Sequence, residues 1–203
     1  MTAVGCLSLV AANLLWMYHL TDRPEPEDVQ FALERRSQVP GEVTTSTMLL
    51  YLLERGLRMH HIYPFDDRRF IAEGEAYYRE FYADEWEPDW DKYLTPKLLE
   101  ELRQECEAHR VKFDQYGEVS TEENRPVTYS DIPALLQRQG AVVLYSATAV
   151  EPARASHGFA YGTNDGELKV YWPHRGTSLL AYTPDEFTEY WLPSDGVTAI
   201  WEA

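Results

Sequence analysis

The residue best placed for covalent chemistry is Cys6, which follows Gly5 and opens a long apolar run, Leu7 to Leu20. A thiol on the first turn of a helix sits at the positive end of the macrodipole, which favours the nucleophilic thiolate. The amides of the same turn point toward any oxyanion formed there. The competing reading is a structural cysteine, because small thiols are common in cores. A cysteine nucleophile also needs a base, and the chain offers His19, His60, His61, His109, His157 and His174. His19 falls at the far end of the Cys6 helix. His60 and His61 point to opposite sides of a short strand, and His109 lies on a charged helix that reads as exposed. His157 is different: it stands between Ser156 and Gly158, ahead of Phe159-Ala160-Tyr161-Gly162, where an imidazole at a strand start with small neighbours can face a cleft. A half-buried, hydrogen-bonded structural histidine is the alternative. Cys106-Glu107-Ala108-His109 is half of a metal site with no second half, so neither a metal nor a cofactor is expected.

The elements that must position these residues fall into three parts. The first third reads as a helix from Leu7 to Leu20, buried on nearly all sides because it has no polar stripe. A helix from Val29 to Arg36 and another from Thr47 to Arg55 follow, the latter capped by Thr44-Thr45-Ser46. A short strand, Leu57 to Tyr63, closes this part. Residues 66–125 are dense in charge and aromatics and read as a helical insertion. It holds an acidic aromatic stretch, Tyr77 to Tyr93, an amphipathic helix from Pro96 to Arg110, and a polar loop, Glu118 to Pro126. The stretch Tyr77 to Tyr93 reads either as a solvated helix packed by its aromatics or as a lid whose Trp86 and Trp90 touch substrate while its acids select a cationic group. The last third turns to β: a helix to Gln139, strands Ala141 to Ser146 and Ser156 to Gly162, the Asn164-Asp165-Gly166 turn, a return strand Leu168 to Trp172, a short helix from Pro184 to Trp191 and a closing strand Val197 to Trp201. Helices first and an antiparallel sheet after make an α+β chain.

With 203 residues, one domain over 1–203 is expected. Eighteen Lys and Arg against 34 Asp and Glu give a formal charge of −16, which argues against nucleic acid and against an anionic membrane surface as partners. A neutral or cationic substrate is compatible with that charge. Two cysteines cannot form a disulfide framework, and the apolar N-terminal run lacks a basic leader and is interrupted by Asn13, Tyr18 and His19, so a cytoplasmic protein is expected.

Taken together, these features resemble the papain-like cysteine peptidases, nearest the bacteriocin-processing branch that cuts after double-glycine leaders. The residues that carry the resemblance are Gly5-Cys6-Leu7-Ser8-Leu9-Val10-Ala11-Ala12, Gly41-Glu42-Val43-Thr44-Thr45-Ser46 through Leu57-Arg58-Met59, Asp131-Ile132-Pro133-Ala134-Leu135-Leu136 to Val142-Val143-Leu144, and Ser156-His157-Gly158-Phe159-Ala160-Tyr161-Gly162 with the Asp165-Gly166 hairpin. It implies a papain-like core in which Cys6 is the nucleophile and His157 the base. The sequence departs from the family where a Gln is expected before the cysteine, since Met1 to Gly5 contain none. It departs again where an Asp or Asn is expected before a Pro on the return strand, since Tyr171-Trp172-Pro173 puts Trp172 there. An indole accepts no hydrogen bond from imidazole. Asn164, Asp165 and His174 are then the candidates to orient His157, and Trp172 joins Trp86 and Trp90 as a substrate-contacting aromatic. The expected function is a thiol enzyme acting on a peptide, aminoacyl or acyl bond through a Cys6 thioester, as a peptidase, amidase or acyltransferase. The alternative is an inactive binding module on the same fold.

Overall fold

The structure is a computed structural model. It describes residues 5–18, 20, 22, 24–37, 43–83, 90–116, 119–148, 151–173, 179–189, 191 and 196–202. Apolar residues without a polar stripe form α1 (Cys6–Met17), which is followed by α2 (Pro26–Glu34) and α3 (Thr45–Leu53). These pack on one face of a sheet whose strands are β1 (Leu57–Ile62), β2 (Val119–Glu122), β3 (Ala141–Thr148), β4 (Glu151–Asn164), β5 (Glu167–Tyr171), β6 (Leu179–Tyr182) and β7 (Val197–Glu202). The strand order is β2-β1-β7-β3-β4-β5-β6, antiparallel throughout except where β2 lies parallel to β1. The molecule is a mixed α/β structure. None of the described helices is long and apolar enough to cross a membrane.

Strand parity sorts the core. Val143, Phe159 and Ile200 join α1, α2 and α3 in one buried cluster. Their neighbours Val142, Ala160 and Ala199 join Ile132, Leu135 and Phe187 in the other. Alternate side chains of a strand point to opposite faces, so a sheet covered on both sides reads as a continuous apolar run. The second face is covered by α8 (Asp131–Gln139) and α9 (Pro184–Thr188). The Asn164-Asp165-Gly166 turn forms as expected, with positive φ at both Asp165 (50°) and Gly166 (86°).

The structure corrects two boundaries. Part of the stretch read as a polar loop is β2, whose Val-Ser-Thr-Glu sequence is mostly exposed and carries no burial pattern. Its place is set by backbone pairing with β1, which local polarity does not reveal. The stretch 147–155 read as a connection is largely strand, since β3 extends to Thr148 and β4 begins at Glu151. Within the insertion, α4 (Asp67–Glu73), α5 (Glu75–Phe81), α6 (Trp90–Tyr93) and α7 (Pro96–Phe113) form. Phe65 sits at the centre of their aromatics, with ring centroids 5.0 Å from both Tyr77 and Phe81. The long helix α7 packs against α3 as well as α4 and α5, tying the insertion to the core.

Beside His157, β4 runs so close to the end of β5 that a Cβ on Gly158 would collide with the Tyr171 carbonyl oxygen and the Trp172 indole. Backbone cannot move aside as a flexible side chain does. Gly158→Ala should therefore lower stability by about 1–3 kcal/mol through overpacking, read as a lower urea midpoint with an unchanged slope.

Candidate active site

Cys6 is the first residue of α1, and Gly5 is its N-cap in extended geometry (φ −72°, ψ 156°). The thiol is half-buried. The neighbouring α2 secures this helix end through Gln30, whose Oε1 accepts the Gly5 N–H (3.0 Å) and the Ser8 hydroxyl. The Gln30 amide NH₂ donates to Glu34 at 2.7 Å. Gln30 thus presents its carbonyl to the cysteine helix, the reverse polarity from an oxyanion donor. The first-turn amides of α1 remain the donors at this helix end.

His157 lies on β4 two residues before Phe159, and so faces α1 and α3. Its Nδ1 is 3.7 Å from Cys6 Sγ. Its Nε2 is 2.8 Å from Thr45 Oγ1. For Nδ1 to accept the thiol proton, Nε2 must carry the ring hydrogen, and Thr45 is then the acceptor that fixes tautomer and ring plane. Burial holds the imidazole well below its ordinary value of 6.5, at about 4, so it is neutral near pH 7. The geometry suits a general base that takes its proton as the sulfur attacks.

Thr45 is the first residue of α3, and its position is itself fixed. Thr44 caps the helix by accepting the Thr47 N–H at 3.2 Å. The Thr44 and Thr47 hydroxyls both donate to Glu105 Oε1 of α7, at 2.7 and 3.0 Å. Glu105 and His109 are each only 2% exposed. His109, which reads as exposed from sequence, is therefore buried, on the α7 face that meets the core of the insertion.

The other candidates lie elsewhere. Asn164 and Asp165 are bonded to each other at 3.0 Å on the exposed β4–β5 turn, seven and eight residues along from His157. At roughly 3.3 Å per residue they lie some 20 Å away and do not orient the ring. Trp172 is 2% exposed in the cluster on the opposite face of the sheet, which removes it from both His157 and the cleft. Its parity on the β5 line, continuing Leu168 and Val170, puts it there. Trp90 packs on Tyr82, with ring centroids 5.9 Å apart. Trp86 and His174 lie outside the described residues. Among the described residues, no group of three or more His, Cys, Asp or Glu is placed to hold a metal ion.

Three cavities meet at Ser46, which lines all of them, and His157 lines one. One of about 250 Å³ includes His157, Thr45 and His61. One of about 440 Å³ extends from His61 across β1 and β2 to Arg110 and Phe113 of α7. One of about 320 Å³ runs from Thr45 to Phe65, Tyr78 and Tyr82 of the insertion. His61, Thr198 and Val143 follow one another in register across β1, β7 and β3, and all three line the cavity that holds His157.

No family model matches the chain, and no curated protein matches it. Among solved structures, it is similar to the peptidase domain of Streptococcus ComA, described as a bi-functional ABC transporter involved in a quorum sensing pathway. The alignment covers 100% of this chain and 95% of that one, at 9% identity and a TM-score of 0.48.

Sequence order accounts for Cys6 and His157, but not for Thr45 or Gln30. Thr45 reaches a partner 112 residues away, and Gln30 one 25 residues away. The only local trace is a Thr-Thr-Ser run at a helix start, which capping alone explains. Two half-buried histidines generate a stability prediction. His61, like His157, is pushed from 6.5 to about 4, chiefly by burial. Between those values the unfolded chain binds protons that the folded chain does not. The two histidines' contribution to stability is therefore full above about 6.5, falls as pH drops toward about 4, and levels off below. Urea midpoints measured across that window should show the fall, and His157→Gln should show a shallower one.

Proposed function

We propose that this chain is a thiol-dependent enzyme acting on a peptide, aminoacyl or acyl bond through a covalent Cys6 intermediate. The observation that supports this reading best is the Cys6 Sγ to His157 Nδ1 approach at 3.7 Å, with Thr45 on the far ring nitrogen. In the acylation step Sγ attacks the carbonyl carbon while its proton passes to Nδ1. The carbonyl oxygen becomes an oxyanion at the positive end of α1. The imidazolium then returns its proton to the leaving amine or alcohol as the bond to carbon breaks, leaving a thioester. Water or an incoming amine, deprotonated by Nδ1, resolves the thioester and restores the thiol. Peptidase, amidase and acyltransferase differ only in that last acceptor.

Neutral His157 and a neutral threonine distinguish this arrangement from a preformed ion pair. A hydroxyl orients the ring without adding the charge of a carboxylate, so the imidazolium gains little extra stabilisation at rest. The cysteine chemistry tolerates this because a thiol gives up its proton far more readily than an alcohol. The second reading, a binding module that has lost turnover, rests on the hydroxyl, in place of a carboxylate, at the far ring nitrogen.

Alkylation separates the two. Cys106 is buried beside Asp67, and burial with that carboxylate raises its thiol above the ordinary range. Iodoacetamide near neutral pH should therefore label Cys6 much faster than Cys106, as read by peptide mass mapping, and equal or slower labelling of Cys6 would favour the binding module. Cys6→Ala should remove all covalent chemistry at a stability cost of about 1 kcal/mol or less. Thr45→Val, which keeps shape and loses the hydroxyl, should slow Cys6 alkylation about tenfold, the worth of one hydrogen bond. Thr45→Ser should restore most of that rate.

A further inference from the structure

We propose that the cavity between the start of α3 and the insertion helices α5 and α7 is a subsite for a cationic group, an alkylammonium or guanidinium, carried by the substrate. As a substrate subsite it rests on the Cys6–His157 reading, since Thr45 belongs both to its wall and to the His157 hydrogen bond. As a cation site it stands on separate observations.

The first is an unbalanced buried carboxyl. Glu105 lines the cavity and is 2% exposed. Its Oε1 accepts both threonine hydroxyls, while Oε2 has no hydrogen-bond partner among the described residues. His109 Nδ1 is likewise without one and stands 3.7 Å from Oε1. Burial pushes His109 below its ordinary value, so it brings no compensating charge near neutral pH. A buried polar atom without a partner is costly, and a donor that reached Oε2 from the cavity would offset that cost.

The second is the composition of the walls. Phe65, Tyr78 and Tyr82 supply aromatic surface, and Asp67 adds a second carboxyl. Asp67 is already approached by the Tyr63 hydroxyl at 2.7 Å and by Arg110 at 4.0 Å. None of the described lining residues is Lys or Arg. Aromatic faces beside a buried carboxyl favour a cation over a neutral donor, because ring quadrupole and carboxylate both attract positive charge. The volume, about 320 Å³, is at the scale of small-ligand sites. The chain's charge of −16 also draws cations toward it.

The test uses agmatine, with 1-pentanol as a neutral probe of similar length, added at millimolar concentration to the full chain carrying Cys6→Ala and followed by ligand-observed NMR. Agmatine should bind and pentanol should not displace it. Glu105→Gln keeps the Oε1 acceptor for the threonines and should weaken agmatine at least tenfold. Tyr82→Leu should weaken it too, by a route independent of the α3 cap. Absence of agmatine binding, displacement by pentanol, or equal binding in wild type and Glu105→Gln would each overturn the proposal. None of these outcomes depends on Cys6, so the thiol reading stands or falls separately, on iodoacetamide labelling. If both hold, an electrophilic lysine peptide ketone should label Cys6 at least tenfold faster than its norleucine counterpart, with Glu105→Gln abolishing the difference. Equal rates would remove the cavity from the substrate's path.

Discussion

The arrangement of the site depends on one buried carboxyl. Glu105 projects from the insertion into the first turn of α3, where two threonine hydroxyls converge on one of its oxygens. That clamp fixes the turn on which Thr45 stands, and Thr45 fixes the far nitrogen of His157. The chain of contacts runs from α7, through a helix cap, to the ring beside the thiol, so α7 supports the turn that carries Thr45. A carboxyl so deep in protein is costly unless it is satisfied, and here one of its two oxygens is satisfied by the groups whose positions matter.

A second constraint comes from the sheet. Because side chains alternate, β4 sends His157 and Phe159 toward α1 while Ala160 faces α8. The close approach at Gly158 brings the end of β5 under β4 and buries the Trp172 indole on the far side. The position expected from the family resemblance to hold an orienting carboxylate or amide is thus taken by core packing. The far nitrogen of His157 instead meets Thr45, at the start of α3.

Much of the fold was legible because its signals are local. Cys6 starts α1 where the apolar run begins, and the Asn-Asp-Gly turn places β4 against β5. The capping run Thr44-Thr45-Ser46 marked the start of α3, although Thr45 is already its first helical residue. What escaped is non-local. The edge strand β2 exists through its pairing with β1, and its exposed side chains leave no pattern. Glu105 and His109 did leave one: they follow Leu98 and Leu102 at helical spacing, putting an acid and a base four residues apart on an apolar stripe. Read as surface charge, that pair conceals its burial.

The two ends of the site are made at different times. Cys6 and His157 are separated by 151 residues. A ribosome adding roughly 5–20 residues per second exposes the cysteine helix many seconds before the strand that carries its histidine. During that interval α1 also lacks β4, one of the surfaces that bury it. On the proposed thiol reading, a nascent chain carries Cys6 before its partner histidine exists, and the pair assembles only when β4 joins the sheet late in synthesis.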